Sequence, residues 1–437
     1  MIKYPHEQRS LTREQKEAVG LLSIGTFLEY FDLMLYVHMA AFLNELFFEP
    51  ADSHFTSLMM SFAFCTTFVF RPVGALIFGW LGDNIGRKST VIITTFMMAV
   101  SCFVMANLPT YAQIGVAATW IITICRIVQG MTSMGEIVGA GLYLTETINP
   151  PIQYVSVTLV GLSAALGSMG ALGIASLVTS YGFNWRLAFW IGAIVALIGF
   201  AAKTTLRETP EFANAKLILK KKYEKANIDI KALYNDPVVN KKTIIAFLLL
   251  ECSTPVCFYF IYLHCGTILK TDFGYTSTEV IHHNFIVSIL EFLILSILSY
   301  VSYRVYPLLT AKIILIIYSI VILFCPYWLN NLNFPFELFF IQIVIILFKY
   351  CHTSAAPIFY KSFPVFKRFT CVSVIFSVSR ALMYVITSFG FIYIIDYFGN
   401  WGILIIMIPT IIAFAYGLLH FEKLEKDSRS YPQKRTI

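Results

Sequence analysis

The sequence predicts an all-α integral membrane protein of about twelve transmembrane helices arranged as two six-helix bundles. Three observations carry that expectation: 58% of the 437 residues are hydrophobic, only 13% are charged, and the apolar residues gather in long uninterrupted runs. Soluble domains carry about 25% charged residues, and the mean hydropathy of +0.73 lies well to the apolar side of them. Strands are excluded, because a transmembrane strand is about 10 residues of alternating polarity. The runs here are far longer and apolar on every face.

A helical crossing takes roughly 20 residues. Runs of that kind fall near 18–48, 54–81, 89–107, 113–145, 152–180 and 185–202, and again near 243–269, 279–303, 306–328, 334–360, 369–395 and 400–420. The chain therefore divides into a polar N-terminal tail (1–17), a first bundle (18–202), a connector (203–242), a second bundle (243–420) and a polar C-terminal tail (421–437). The polar lead is too long, and the run after it too long, for a cleavable signal peptide. The connector holds ten Lys or Arg against five Asp or Glu and no run of membrane length. It reads as a solvated cytoplasmic link whose lysines can also rest on anionic lipid.

Loop charge sets the orientation. Lys3, Arg9, Arg13 and Lys16 precede the first run, Arg87 and Lys88 follow the second, Arg304 and Lys312 flank the turn between the eighth and ninth, and Lys361, Lys367 and Arg368 follow the tenth. The opposite loops "EPADS", "NLPTYAQ", "NNLNF" and "YFGN" carry no Lys or Arg, and Lys270 is the clear exception. Both termini are thus expected in the cytoplasm. The net charge of +7 obeys the same rule and calls for no nucleic-acid partner. Nine cysteines (Cys65, Cys102, Cys125, Cys252, Cys257, Cys265, Cys325, Cys351 and Cys371) lie scattered without CxxC pairing, as small apolar residues and not as a disulfide framework or metal site.

The least apolar stretch inside the first bundle is "GWLGDNIGRK", Gly79 to Lys88. Gly79, Gly82 and Gly86 permit a tight turn and close helix approach, and Asp83 and Arg87 stand four apart, where they can pair. The stretch closely resembles the Gly-x-x-x-Asp-x-x-Gly-Arg-Lys signature of the major facilitator superfamily, at that family's own place between the second and third spans. "FLEYFDLMLY" (Phe27–Tyr36), "RPVG" (Arg71–Gly74), "RIVQGMTSMGE" (Arg126–Glu136), "RETPEF" (Arg207–Phe212) and "FPVFKRF" (Phe363–Phe369) resemble, in order, motifs of its metabolite:proton symporter family. Bacterial proline/glycine-betaine transporters are the nearest in resemblance, with oxoglutarate, citrate and shikimate permeases behind. The chain departs from the pattern in "SYVSYRVYPLLTAK", which keeps Arg304 but has lost the aspartate and every glycine of the second-half turn. The tail after His420 shows no sustained heptads, so the coiled coil of some betaine carriers is not expected in it.

Ionisable groups inside apolar runs are costly and are the first place to look for chemistry. Glu29, Asp32 and Tyr36 share one stripe of the first helix, and two neighbouring carboxylates in a low-dielectric cavity can hold a proton near neutral pH. Proton coupling is therefore placed on Glu29, Asp32 and Glu136. Arg126, Gln129 and Glu136 share a face of the fourth helix, and a guanidinium fork suits a carboxylate. Substrate contact is placed on Arg126, Tyr36, Gln129, Arg71, Lys349 and Arg380, and the cytoplasmic gate on Gly79, Gly82, Asp83, Gly86, Arg87 and Lys88. Structural ion pairing is the competing reading for Arg126, and a structural role beside the helix-kinking Pro72 is the competing reading for Arg71. Glu251, His264, His282, His283, Glu291 and His352 also lie in or near spans, the histidines read as satisfied hydrogen-bond partners. "GLSAALGSMGALG" (Gly161–Gly173) reads as a helix-packing seam.

No Walker loop, HExxH, CxxC or Gly-x-Ser-x-Gly occurs, so neither an ATP-driven pump nor a recognisable enzyme is expected. The resemblance implies a proton-coupled symporter of a bacterial inner membrane, a monomer in the lipid bilayer with no cofactor, importing a small organic solute by alternating access. An arginine facing an acidic and aromatic stripe points to a zwitterion such as proline or glycine betaine. A dicarboxylate or tricarboxylate is the alternative, and a non-transporting solute receptor is a third reading, raised by the drifted second half. In a cysteine-free background, single cysteines at Ser53 and Asn331 should react with an impermeant thiol reagent added outside cells, and one at Asn227 should not. The reverse pattern would overturn the orientation.

Overall fold

The computed structural model describes residues 7–48, 61–62, 64–84, 87–133, 136–180, 184–204, 240–350 and 352–428, with the side chains at 41, 44–45, 82–84, 87–91, 136, 202–204 and 365–367 left aside. Among these residues twelve helical passages run in order. They are α1 (Arg13–Phe47), α2 (Phe64–Leu81), α3 (Arg87–Asn107), α4 (Val116–Thr132 and Glu136–Thr147), α5 (Ile152–Ser180) and α6 (Arg186–Thr204). The second set is α7 (Lys241–Thr271), α8 (Ser277–Arg304), α9 (Pro307–Asn330), α10 (Pro335–Lys361), α11 (Val365–Phe398) and α12 (Ile403–Asp427). The only pairing of extended backbone among the described residues is a single bridge between Gln8 and Pro151. The all-α membrane architecture expected from the apolar runs is the one observed; the connector from 205 to 239 lies outside the described residues.

Polarity is distributed as a bilayer requires. Large apolar side chains such as Trp120, Ile297, Ile316 and Leu419 face outward, while Glu29, Arg71, Arg126, Gln129, Glu251 and Gln342 are buried. Lipid is as apolar as leucine and gives no hydrophobic reason for helices to associate, so close packing of small residues must do it. A side chain on Gly167 of α5 would run into the Phe27 carbonyl of α1 at 2.3 Å, and one on Gly130 of α4 into the Thr67 carbonyl of α2 at 1.9 Å. The Gly161–Gly173 run serves as the seam its spacing predicts: Gly167 and Gly170 face α1, and Gly173 meets Phe285 of α8.

The passages α7 and α10 are broken within their described residues. α7 breaks around Cys252, just before Pro255, which lacks an N–H, and then passes through a π-turn at Tyr259–His264. α10 stops as Lys349 adopts extended backbone (φ −60°, ψ 157°) and resumes after a 3-10 turn at Thr353–Ala355. α4 is described as Val116–Thr132 and Glu136–Thr147, with 134 and 135 outside the described residues. Sequence expectation had α7 and α10 as continuous helices; periodicity sees the apolar content of a run and not a local loss of its hydrogen bonds.

Within each set, α1 packs along α5, α3 along α6, and α7 along α12. The two sets meet where α5 lies against α8 and α2 against α11. Near the Arg368 end, Arg368 Nη1 of α11 lies 2.9 Å from Glu146 Oε1 of α4, and Lys361 Nζ donates to Gln153 Oε1 of α5 at 3.0 Å. At the opposite end Ser176 and His282 are 3.1 Å apart, and Ser61 Oγ and Tyr259 Oη donate to the Ser388 carbonyl at 3.4 and 3.5 Å. Contacts between the halves therefore bracket the space between them from both ends.

The drifted turn between α8 and α9 is fastened by other means. Tyr306 Oη donates to Glu425 Oε2 at 2.9 Å, Lys312 pairs with Glu422, and Lys426 Nζ reaches Glu422 Oε1 at 3.1 Å. Burial raises the Glu425 carboxyl above its ordinary value, with the Tyr306 hydroxyl and Lys361 partly offsetting it. For Glu422 burial works in the same direction, but Lys312 and Lys426 outweigh it and hold the carboxyl below the ordinary value.

Two outcomes follow from this packing. Gly130→Ala must push α4 off α2 and should lower stability by about 1–3 kcal/mol, read as a fall in thermal unfolding temperature in detergent, whereas Gly20→Ala, with nothing within 4 Å, should not. Arg368→Gln removes one closing pair; each ~1 kcal/mol of closure lost raises the open population about fivefold. A cysteine at Ala164 should then react correspondingly faster with a soluble maleimide, and an unchanged rate would mean that the pair does not hold this end shut.

Candidate functional site

A cavity of about 240 Å³ lies between the halves, walled by α1, α2, α4 and α5 on one side and α7, α8, α10 and α11 on the other. The interruption of α10 delivers Lys349 and His352 to it, and the break in α7 presents Glu251 and Thr254. Its polar wall belongs mostly to the second half. Glu251, 2% exposed, accepts from Arg380 Nη1 at 2.9 Å through Oε2, and His352 Nε2 lies 3.0 Å from its Oε1. Arg380 also rests on the Phe376 ring, 3.2 Å from its centre. A second cluster joins Glu291 of α8 to Lys349 and to the Tyr262 hydroxyl.

The first half contributes Tyr30 and Arg71. The Arg71 guanidinium stacks 4.4 Å above the Phe68 ring, and its Nε and Nη2 find no hydrogen-bond partner among the described residues. Arg71 and Arg380 repel each other, while Glu29 attracts Arg71 from behind. Phe68, Phe258, Tyr262 and Tyr384 add aromatic wall, with Phe68 and Tyr384 centred 4.0 Å apart. The arrangement can hold a small solute by offering a guanidinium to a carboxylate and ring faces to an apolar or cationic part.

Arg71, Lys349 and Arg380, three of the residues expected to touch substrate, are brought together here. Arg126, Gln129 and Tyr36 are brought together elsewhere: Arg126 stacks 4.0 Å over Tyr36, its Nη1 donates to Gln129 Oε1 at 3.1 Å, and none of the three lines the cavity. Glu29 and Asp32 are buried behind the cavity wall, Asp32 where a side chain on Gly192 of α6 would approach its Oδ1 to 3.1 Å. The Glu136 side chain lies outside the described residues, as do those of Asp83, Arg87 and Lys88 and the whole of Gly86; Gly82 forms part of the end of the helix Arg71–Asn84, and Gly79 in the same helix faces open space.

The histidines divide. His282 and His283 make ordinary hydrogen bonds to Ser176 and Gln342, and His264 stacks on Phe391, whereas His352 belongs to the charged cluster. Sequence reasoning passed over Tyr262 altogether and kept Glu251 and Glu291 only as the next places to look for coupling after Glu29, Asp32 and Glu136. Their partners lie 29, 129 and 58 residues away in the chain, beyond the reach of helical spacing. The usable signal was simply that each is an acid inside an apolar run. All eight described cysteines are free, and seven of them are buried.

Comparison with known proteins agrees with this architecture. The family model of the Major Facilitator Superfamily matches residues 22–364. Citrate-proton symporters of Klebsiella pneumoniae and Salmonella typhi are 28% and 30% identical over 63% and 66% of this chain. A protein of Staphylococcus aureus provisionally named a proline/betaine transporter is 30% identical over 46% of it. The chain covers 62% and 66% of the citrate symporters' length and 45% of the proline/betaine protein's. Among solved structures, the xylose transporter XylE from E. coli in a partially occluded inward-open conformation superposes with a TM-score of 0.67 over 97% of this chain and 99% of that one. The proton:xylose symporter XylE bound to a halogenated sugar reaches 0.72 over 96% of each. At 13% identity both are likenesses of fold alone. With twelve helical passages in two packed sets and a family match across most of its length, the chain is a multi-pass membrane protein that belongs to the Major Facilitator Superfamily.

Proposed function

We propose that the chain is a proton-coupled symporter that carries a small carboxylate-bearing solute through the cavity between its halves, powered by the proton gradient without a cofactor. The observation that carries this reading is Arg71. It is a buried guanidinium on the cavity wall with two nitrogens unpartnered among the described residues, beside a second guanidinium whose repulsion an anion would relieve. The other two cations of the cavity are each held by a carboxylate, Arg380 by Glu251 and Lys349 by Glu291. One cation is therefore left to meet one carboxylate, and the rings of Tyr30, Phe68 and Tyr384 beside it can receive an ammonium group. That balance fits a zwitterion such as proline or glycine betaine.

A polyanion of the citrate or oxoglutarate kind is the second reading. The observation in its favour is that Lys349 and Arg380 line the same cavity as Arg71, so that further carboxylates would find cations if Glu251 or Glu291 gave them up. The relatives named as citrate-proton symporters and as a proline/betaine transporter support the coarse class without choosing between the two. On this proposal the protein sits in a bacterial inner membrane, works as a monomer, and keeps both termini in the cytoplasm, as the loop charges require.

Proteoliposomes holding the full chain, given an inside-alkaline pH gradient, should accumulate labelled proline or betaine. Arg71→Gln should weaken uptake by about tenfold or more, the loss of a charge-assisted carboxylate contact of roughly 1.5–3 kcal/mol. Binding without accumulation would make the chain a receptor; accumulation of citrate or oxoglutarate alone would establish the second reading.

A further inference from the structure

Glu251, His352 and Arg380 form a buried triad that the expected coupling acids of the first half do not include. The carboxylate only accepts hydrogen bonds, so the 3.0 Å contact places the imidazole hydrogen on Nε2 when His352 is neutral. Nδ1 then carries the lone pair, and it has no hydrogen-bond partner among the described residues. A proton can land on Nδ1 without breaking any bond the triad makes. Resting on the symport reading, we infer that His352 and Glu251 are the proton-binding station of this transporter, and that proton uptake there releases Arg380 to the substrate carboxylate.

Charge counting gives the coupling. With His352 neutral, Glu251 and Arg380 cancel and the triad is neutral. A proton taken up on Nδ1, a buried atom of this cavity-lining residue, makes the imidazolium, whose Nε2–H stays on Glu251 Oε1 and now supplies that carboxylate with a full counter-charge. Arg380 is left in excess, next to Arg71, and the triad is positive by one. One substrate carboxylate held between the two guanidinium groups restores neutrality. When the substrate leaves, Arg380 returns to Glu251 and the proton departs from Nδ1. Each ligand therefore favours the other by the same factor, and one proton accompanies each substrate bound.

The surroundings leave this role to His352. Among the described residues, the titratable and charged groups that act on the triad include Tyr30 of α1, Arg71 of α2, Cys252 of α7, Tyr360 of α10 and Tyr384 of α11, with Glu29 reaching it through Tyr30 and Arg71. α12 presents the Phe414 ring to His352. Across the cavity Glu291 and Lys349 neutralise each other. Of the triad, His352 is the member that offers a nitrogen lone pair, on Nδ1, with no partner among the described residues.

The test uses the full chain in proteoliposomes with labelled proline, glycine betaine, citrate and oxoglutarate. His352→Gln should cut accumulation driven by the pH gradient about tenfold or more, while exchange of the same solute persists and loses its dependence on pH. His352→Asn is the second variant should the first not purify as a monodisperse protein. Adding solute to the wild-type protein in unbuffered detergent solution should take up protons, and His352→Gln should abolish that uptake. If His352→Gln accumulates solute as the wild type does, the inference falls and coupling returns to Asp32 and Glu29 with the symport reading intact. If the wild type exchanges solute but never accumulates it, the symport reading itself falls.

Discussion

An ionised side chain inside a membrane-spanning bundle must find its counter-charge within the bundle, and the layout of this protein follows from that constraint. Glu251 finds Arg380 and His352, Glu291 finds Lys349 and Tyr262, and Arg126 finds the face of Tyr36 and the amide of Gln129. Each set ties together helices that lipid gives no reason to associate. Removing one member of such a buried pair typically costs about 3–5 kcal/mol because the other is left uncompensated. The same cost is what makes a proton or a substrate able to rearrange the pairs: any charge that enters the cavity must change who is paired with whom.

Helix interruption is the second part of the arrangement. A continuous α10 would place Lys349 and His352 only three residues apart on one helical face, fixed in a single direction. The extended backbone at Lys349 and the 3-10 turn after it let the lysine reach α8 and the histidine reach α7. Non-helical backbone is tolerated at membrane depth only where it lines a cavity or is buried in protein, and this break does line one.

Much of the fold was legible in the sequence because a bilayer imposes a length: runs of apolar residues at 152–180 or 307–330 admit one interpretation. The resemblance of "GWLGDNIGRK" and "RPVG" to family motifs was legible for the same reason that short motifs are, being local. The site was less so. The offset of three between Arg126 and Gln129 said correctly that they share a face, and they are hydrogen-bonded; it could not say that this face turns to Tyr36 and away from the cavity. The Glu251–Arg380 pair joins helices 129 positions apart and leaves no mark on either local pattern. Arg71 was named from its motif, but its unpartnered nitrogens are a property of the assembled bundle.

The drift of the second half takes on a different meaning in this light. Loss of the Asp/Gly turn between α8 and α9 suggested a weakened half, yet Tyr306, Lys312, Glu422 and Glu425 bind that turn to α12 by other charges. The second half also supplies both carboxylates and two of the three cations that line the cavity, while the first half keeps Asp32 and Arg126 behind the wall. On the proposed reading the two halves play different roles. The first is a sealed polar core that offers a single guanidinium, and the second holds the pairs whose exchange of partners follows proton and substrate. An asymmetric cavity of this kind needs no second copy of the family turn. It needs only that the C-terminal half remain fastened at its ends while the charges at its centre stay free to re-pair.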